Sequence, residues 1–85
     1  MIGPIEFIEL EKVLEFIEDE YIKARRKHDA TFNSMHEGYA VVLEELDEAW
    51  DEIKKDNMKR AREEMLQVAV TAIKFLINFR IEDEN

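Results

Sequence analysis

The sequence predicts an all-α fold, a three-helix chain whose long antiparallel helices form one domain over residues 1–85 and assemble into an oligomeric helical bundle. Three observations lead to it. Gly3, Pro4 and Gly38 are the only glycines and proline in 85 residues, so little interrupts a helix once it has started. Apolar residues return at intervals of three and four, which places them on one helical face. The third helical segment is apolar around most of its circumference, more than two partner helices of so short a chain can cover.

The first helix is expected over about 5–28. Pro4 suits an opening turn, where its missing N–H would have no partner in any case, and Leu10, Val13, Leu14, Ile17 and Tyr21 make the apolar row. The segment Asp29-Ala30-Thr31-Phe32-Asn33-Ser34 is rich in side chains that bond local backbone and reads as a loop. Ser34 followed by Glu37 has the form of a capping box and begins a second helix over about 35–55. That helix carries Tyr39, Val42, Leu43, Leu46, Trp50 and Ile53 as its apolar side, and Trp50 is expected in the core. Asp56-Asn57 reads as a tight turn into a third helix over about 58–80, with Ile81 to Asn85 as a frayed acidic end. Met65, Val68, Ala69, Val70, Ala72, Ile73, Phe75, Leu76, Ile77 and Phe79 spread around that helix, and packing against a second copy is the expected remedy.

Composition narrows the function. Twelve basic against 21 acidic residues give a net charge of −9, which repels nucleic acid and anionic membrane alike. A phosphate-bearing ligand fits only through divalent cations held by clustered carboxylates. No stretch approaches the roughly 20 apolar residues that span a bilayer, and the start lacks a basic segment followed by an apolar one. The expectation is a soluble, cytoplasmic protein. With no cysteine, neither disulfides nor a zinc finger can stabilise so small a domain, and association is the remaining common route.

Two polar stripes could carry chemistry. On the second helix Glu45, Glu48 and Glu52 share one sector beside the apolar arc, while Asp47 and Asp51 point outward. Like charges one turn apart repel by a few tenths of a kcal/mol per pair, which an attached cation would relieve; a solvated acidic face is the plainer alternative. On the third helix Arg60, Glu64, Gln67, Thr71, Lys74 and Asn78 lie in one narrow sector. That sector is either the wet side of the helix or a metal ligand followed by a phosphate contact.

The stretches His36 to Trp50 and Arg62 to Val70 resemble the MazG-like superfamily of all-α nucleoside triphosphate pyrophosphohydrolases. In that family an ExxE on one helix and an ExxD on the next bind magnesium between antiparallel helices, and the enzymes are dimers or tetramers. The resemblance covers about half the chain, from His36 to about Phe79. It implies that Glu45 and Glu48 are the ExxE pair, acting in catalysis and as metal ligands, and that Glu64 is the first residue of the second motif. Gln67 stands where the family has aspartate, as in small MazG-like proteins, and an amide oxygen is a weaker ligand for a hard cation. The implied activity is cleavage of a nucleoside or deoxynucleoside triphosphate to monophosphate and pyrophosphate, and the role it implies is house-cleaning. The implied ion is Mg2+, with Mn2+ as a substitute. Lys74, Asn78 and His36 are candidate substrate contacts, with Lys23 or Arg26 assisting, and the assembly is expected to be a homodimer or homotetramer whose sites are shared between subunits.

His28 near the end of the first helix suits the helix dipole, and Arg25-Arg26-Lys27-His28 reads as balance for nearby acids. A di-iron bundle is set aside, because neither histidine follows a glutamate by three residues. The reading from a different class is a catalytically degenerate helical oligomer, acting as a nucleotide-binding or protein-interaction module. Gln67 is the residue that separates the two.

Overall fold

The structure is a computed structural model that describes residues 1–81. It contains three helices, α1 (Pro4–Lys27), α2 (Met35–Lys54) and α3 (Met58–Asn78), and no strand among the described residues. The expected ends hold to within two residues. The acidic end expected at Ile81 to Asn85 lies outside the described residues from position 82 on.

Local chemistry sets the boundaries. Gly3 precedes α1 in an extended conformation and Pro4 opens it, while Arg25, Arg26 and Lys27 occupy its last turn, where cations meet the negative end of the helix dipole. Ser34 caps α2, its hydroxyl accepting from the Glu37 N–H at 3.1 Å. The Glu37 carboxylate does not return to Ser34 as a capping box would have it. It reaches one residue further back and accepts from the Asn33 backbone N–H at 3.2 Å and from Asn33 Nδ2 at 3.1 Å. The α2–α3 turn is made by Asp56, whose φ of 55° is left-handed, and by Asn57, whose side-chain oxygen accepts from the Arg60 N–H at 3.1 Å and so caps α3.

The helix α3 is central. It pairs along its length with α2 as an antiparallel hairpin and touches α1 on another side, whereas α1 and α2 do not pack on each other. The α2–α3 seam is built from small residues. Ala49 is fully buried and Gly38 is buried against the Phe75 and Phe32 rings. Phe32, placed in a loop by its neighbours' chemistry, is one of three buried apolar residues among those described, with Ala49 and Val70. Its backbone N–H donates to Asn78 Oδ1 at 2.8 Å, and the Lys74 ammonium sits 4.5 Å from its ring centre. A loop far from α3 in sequence is thereby tied to the end of that helix.

This arrangement corrects two expectations. The row expected as the buried side of α2 is uncovered: Tyr39, Leu43, Leu46 and Ile53 are exposed, and Trp50 is 55 % exposed and not in the core. The reason is a rotation. The arc of α2 with Gly38, Val42, Glu45, Ala49 and Glu52 faces α3, since small side chains let the backbones approach closely, and the larger apolar residues fall to one shoulder. The apolar surplus is also not concentrated on α3. Flanked on two sides, α3 is mostly half-buried, leaving Met58, Met65, Leu76 and Ile77 exposed. The greater surplus lies on α1, where residues 4–16 are exposed throughout.

Candidate metal centre

Glu45 and Glu48 from the spaced stripe meet Glu64, the residue implied by the resemblance, across the hairpin, whereas Glu52 of the same stripe pairs with Lys55 at 3.7 Å. Glu45 and Glu48 are one turn apart on α2, Glu64 comes from the antiparallel α3, and each offers a carboxylate oxygen lying within 4.8 Å of the other two. Among the described residues this is the one cluster of potential metal ligands. Glu45 and Glu64 are half-buried and Glu48 is exposed, so the cluster sits on a shoulder of the seam, open on one side.

The electrostatics follow from crowding. Partial burial pushes the Glu45 carboxyl above its ordinary pKa, and the charges of Glu48 and Glu64 and a hydrogen bond to Glu48 push the same way. Burial likewise raises Glu64, reinforced by its hydrogen bond to Glu48, by the Glu48 and Glu52 charges and by neighbouring Glu63. Glu48 thus stands between two acids that hold protons more tightly than free glutamate does. Magnesium, with oxygens at about 2.1 Å in an octahedron, sets adjacent ligand oxygens about 3 Å apart. The three carboxylates offer oxygens within 4.8 Å of one another, a limit wider than that spacing, and their donor type is the one a hard cation selects. By donor type the residues therefore fit a divalent cation.

The raised values have a stability consequence. In the folded chain these two carboxyls bind protons better than in the unfolded chain, so their contribution to stability declines as pH rises from the ordinary glutamate value through the folded one. Metal-free protein is expected to lose thermal stability from this cluster as pH rises from the ordinary glutamate range toward neutrality. A bound cation reverses the effect, because it favours the charged forms. Thermal denaturation with and without magnesium checks this: the ion should raise the midpoint more at the higher pH, and an equal rise at both would refute metal binding by the three acids.

The other candidate residues lie apart from the triad in different degrees. Gln67, one turn beyond Glu64, directs its amide Nε2 to Glu20 Oε2 on α1 at 3.1 Å. The second oxygen of Glu20 pairs with Lys23 at 3.6 Å. Lys74 and Asn78 continue the same side of α3 but hold Phe32, as described. His36 is exposed in the first turn of α2, and Lys23 and Arg26 are exposed on α1. From Glu64 to Asn78 the stripe on α3 is half-buried, more enclosed than a wet helix side. Glu20 is the residue that local spacing did not flag; it stands 47 positions from Gln67, and no short-range pattern links the two. A groove of about 490 Å3 between α1 and α3 is lined by Val13, Phe16, Ile17, Met65 and Leu66 among others and by none of the three glutamates.

The fold and the cluster define a class: an all-α helical hairpin with a flanking helix, carrying a three-carboxylate site suited to a hard cation. No family model, no curated protein and no solved structure matches this chain.

Proposed function

We propose that the chain is a magnesium-dependent nucleoside triphosphate pyrophosphohydrolase of MazG-like type, acting in the cytoplasm as a homodimer or homotetramer. The observation that carries this reading is the convergence of Glu45, Glu48 and Glu64 from two antiparallel helices, the arrangement that the sequence resemblance implies. Glu45, Glu48 and Glu64 would hold the ion, which would supply charge to offset that of phosphate and to make a water easier to deprotonate. Glu48, the exposed member, would accept a proton from that water, while Glu45 and Glu64 would hold the ion. Glu20, anchored by Gln67 and Lys23, adds a carboxylate on the facing helix near the place where the family's aspartate is missing. Lys74 stands two to three turns beyond Glu64 on the same stripe, and contact with phosphate requires its ammonium to leave the Phe32 ring.

The test is release of pyrophosphate from a panel of ribo- and deoxyribonucleoside triphosphates with magnesium or manganese. Turnover on some member supports the hydrolase, and silence on all of them refutes it. One observation favours the non-catalytic alternative, a degenerate nucleotide-binding or interaction module: position 67 carries a neutral amide already engaged with Glu20. If the native chain is silent and Gln67→Asp turns over nucleotide, that alternative is correct for this chain and its descent is catalytic.

A further inference from the structure

We infer that the groove between α1 and α3 is a binding site for a small amphipathic acid, a single carboxylate on an unbranched apolar chain. The site is separate from the acidic cluster, since none of the three glutamates lines it, and the inference stands whether or not the chain hydrolyses a nucleotide.

Shape, lining and charge carry it. The groove holds about 490 Å3, inside the range of about 300–1,000 Å3 usual for small-molecule sites. Phe16 and Ile17 of α1 form one wall, and Met65 and Leu66 of α3 the other. Phe16 is 62 % exposed and Met65 43 %, so the walls present apolar surface that the chain itself leaves uncovered and that an apolar ligand would bury. Along α3 the lining runs from Lys59 to Ala69, about 15 Å at the rise of a helix. A head group followed by about ten carbons has that reach. The α1 wall is shorter, Val13 to Ile17, a single turn. A partner helix laid in a groove is held by anchors over two turns or more, which that wall does not supply, whereas a flexible chain needs only the width of the channel.

Charge selects the head group. In a chain of net charge −9, the charged residues lining the groove are Lys59, Arg62 and Glu63, a local excess of one positive charge. Lys59 and Arg62 stand one turn apart on α3. Among the described residues neither forms an ion pair, and the first turn of α3 carries no acid to neutralise them. A guanidinium offers parallel N–H donors to a carboxylate, and a single negative charge matches the excess. A phosphate dianion would leave net negative charge beside Glu63. Apolar walls with two cations at one end of the α3 lining thus describe both halves of the ligand.

Titration calorimetry of the full-length protein with decanoate, kept below the concentration at which it forms micelles, tests the inference against decyltrimethylammonium, which carries a chain of the same length on a cation. Decanoate should bind saturably, one per chain, and more tightly than the cation by about tenfold or more. That order is diagnostic, because a net charge of −9 attracts the cation over the rest of the surface. Lys59→Gln with Arg62→Gln should weaken decanoate by about tenfold or more, and Phe16→Glu should abolish its binding. All three positions are exposed, so the helices should persist; should Phe16→Glu lose helix, the double variant decides alone. The absence of saturable binding, a preference for the cation, or an affinity unchanged in the double variant overturns the inference. Sedimentation of the same samples tests the competing occupant: decanoate that binds only as an oligomer dissociates shows that a second copy covers the groove, and overturns the inference as well.

Discussion

Replacing Glu45 and Glu48 together by glutamine is expected to abolish pyrophosphate release. The three acids each offer a carboxylate oxygen within 4.8 Å of the other two, and on the proposed function Glu45 and Glu48 are the two metal ligands from α2. Glutamine keeps the volume and removes the charge, so the hairpin should persist. An amide binds a hard cation far more weakly than a carboxylate does. Metal assistance contributes several kcal/mol to the stabilisation of charge in the transition state, which corresponds to a loss of at least about 100-fold in kcat/KM. Titration calorimetry with magnesium should show binding in the native protein and none in the variant. Meanwhile the metal-free variant should melt slightly higher than the metal-free native chain, because two like charges beside Glu64 have been removed. Turnover retained in the variant would place the chemistry elsewhere on the molecule.

Gly38→Val is expected to be the most damaging single change to the fold. A Cβ at position 38 would lie 2.6 Å from Phe75 Cδ2, and 3.1 Å from both Phe75 Cε2 and Phe32 Cδ2. Both rings have neighbours that resist a shift: Phe75 meets Phe79 at a tilt of 57° with centroids 4.9 Å apart, and Phe32 is held by Asn78 and Lys74. Glycine within a helix ordinarily costs about 1 kcal/mol relative to alanine, so its presence here reflects the close approach of α2 to α3. Overpacking of this kind costs about 1–3 kcal/mol for each added group that must be accommodated. Gly38→Ala should come out near neutral to about 2 kcal/mol destabilising, and Gly38→Val beyond about 3 kcal/mol. At about 4–8 °C per kcal/mol for a domain of this size, thermal denaturation at fixed protein concentration resolves the two. A stabilised Gly38→Ala would show that Phe75 yields freely and that the seam is looser than its geometry.

The residues that disclosed themselves in the sequence did so through short-range rules. Pro4, Ser34 and Asn57 lie where local hydrogen bonding puts helix starts, and the spacing of Glu45 and Glu48 places them on one stripe whatever surrounds it. What the sequence left open was which of two adjoining arcs of α2 meets its neighbour. Hydrophobicity favours the arc with Trp50 and Leu46, but Gly38 and Ala49 permit closer backbone contact, and the hairpin turns that way. Trp50 was thus misplaced, while Glu45 was brought against α3 to meet Glu64. Contacts between distant positions had no local signature at all. Phe32 is tied to Asn78 across 46 residues, in a stretch whose neighbours all favour a loop, and Glu20 reaches Gln67 across 47.

The hydrogen bond between Gln67 and Glu20 makes two remote positions into one electrostatic unit. An aspartate at 67 would bring a second negative charge to the place where α1 rests on the hairpin, and without a cation it would push that helix away. The amide does the opposite, donating to the carboxylate it faces. Residue 67 therefore sets two quantities at once, the charge offered to a metal and the grip on α1, and neither can be changed alone. Substitutions at 20 and 67 should be non-additive, and a gain in one property at either position is a loss in the other unless a cation or a compensating change at the partner position accompanies it.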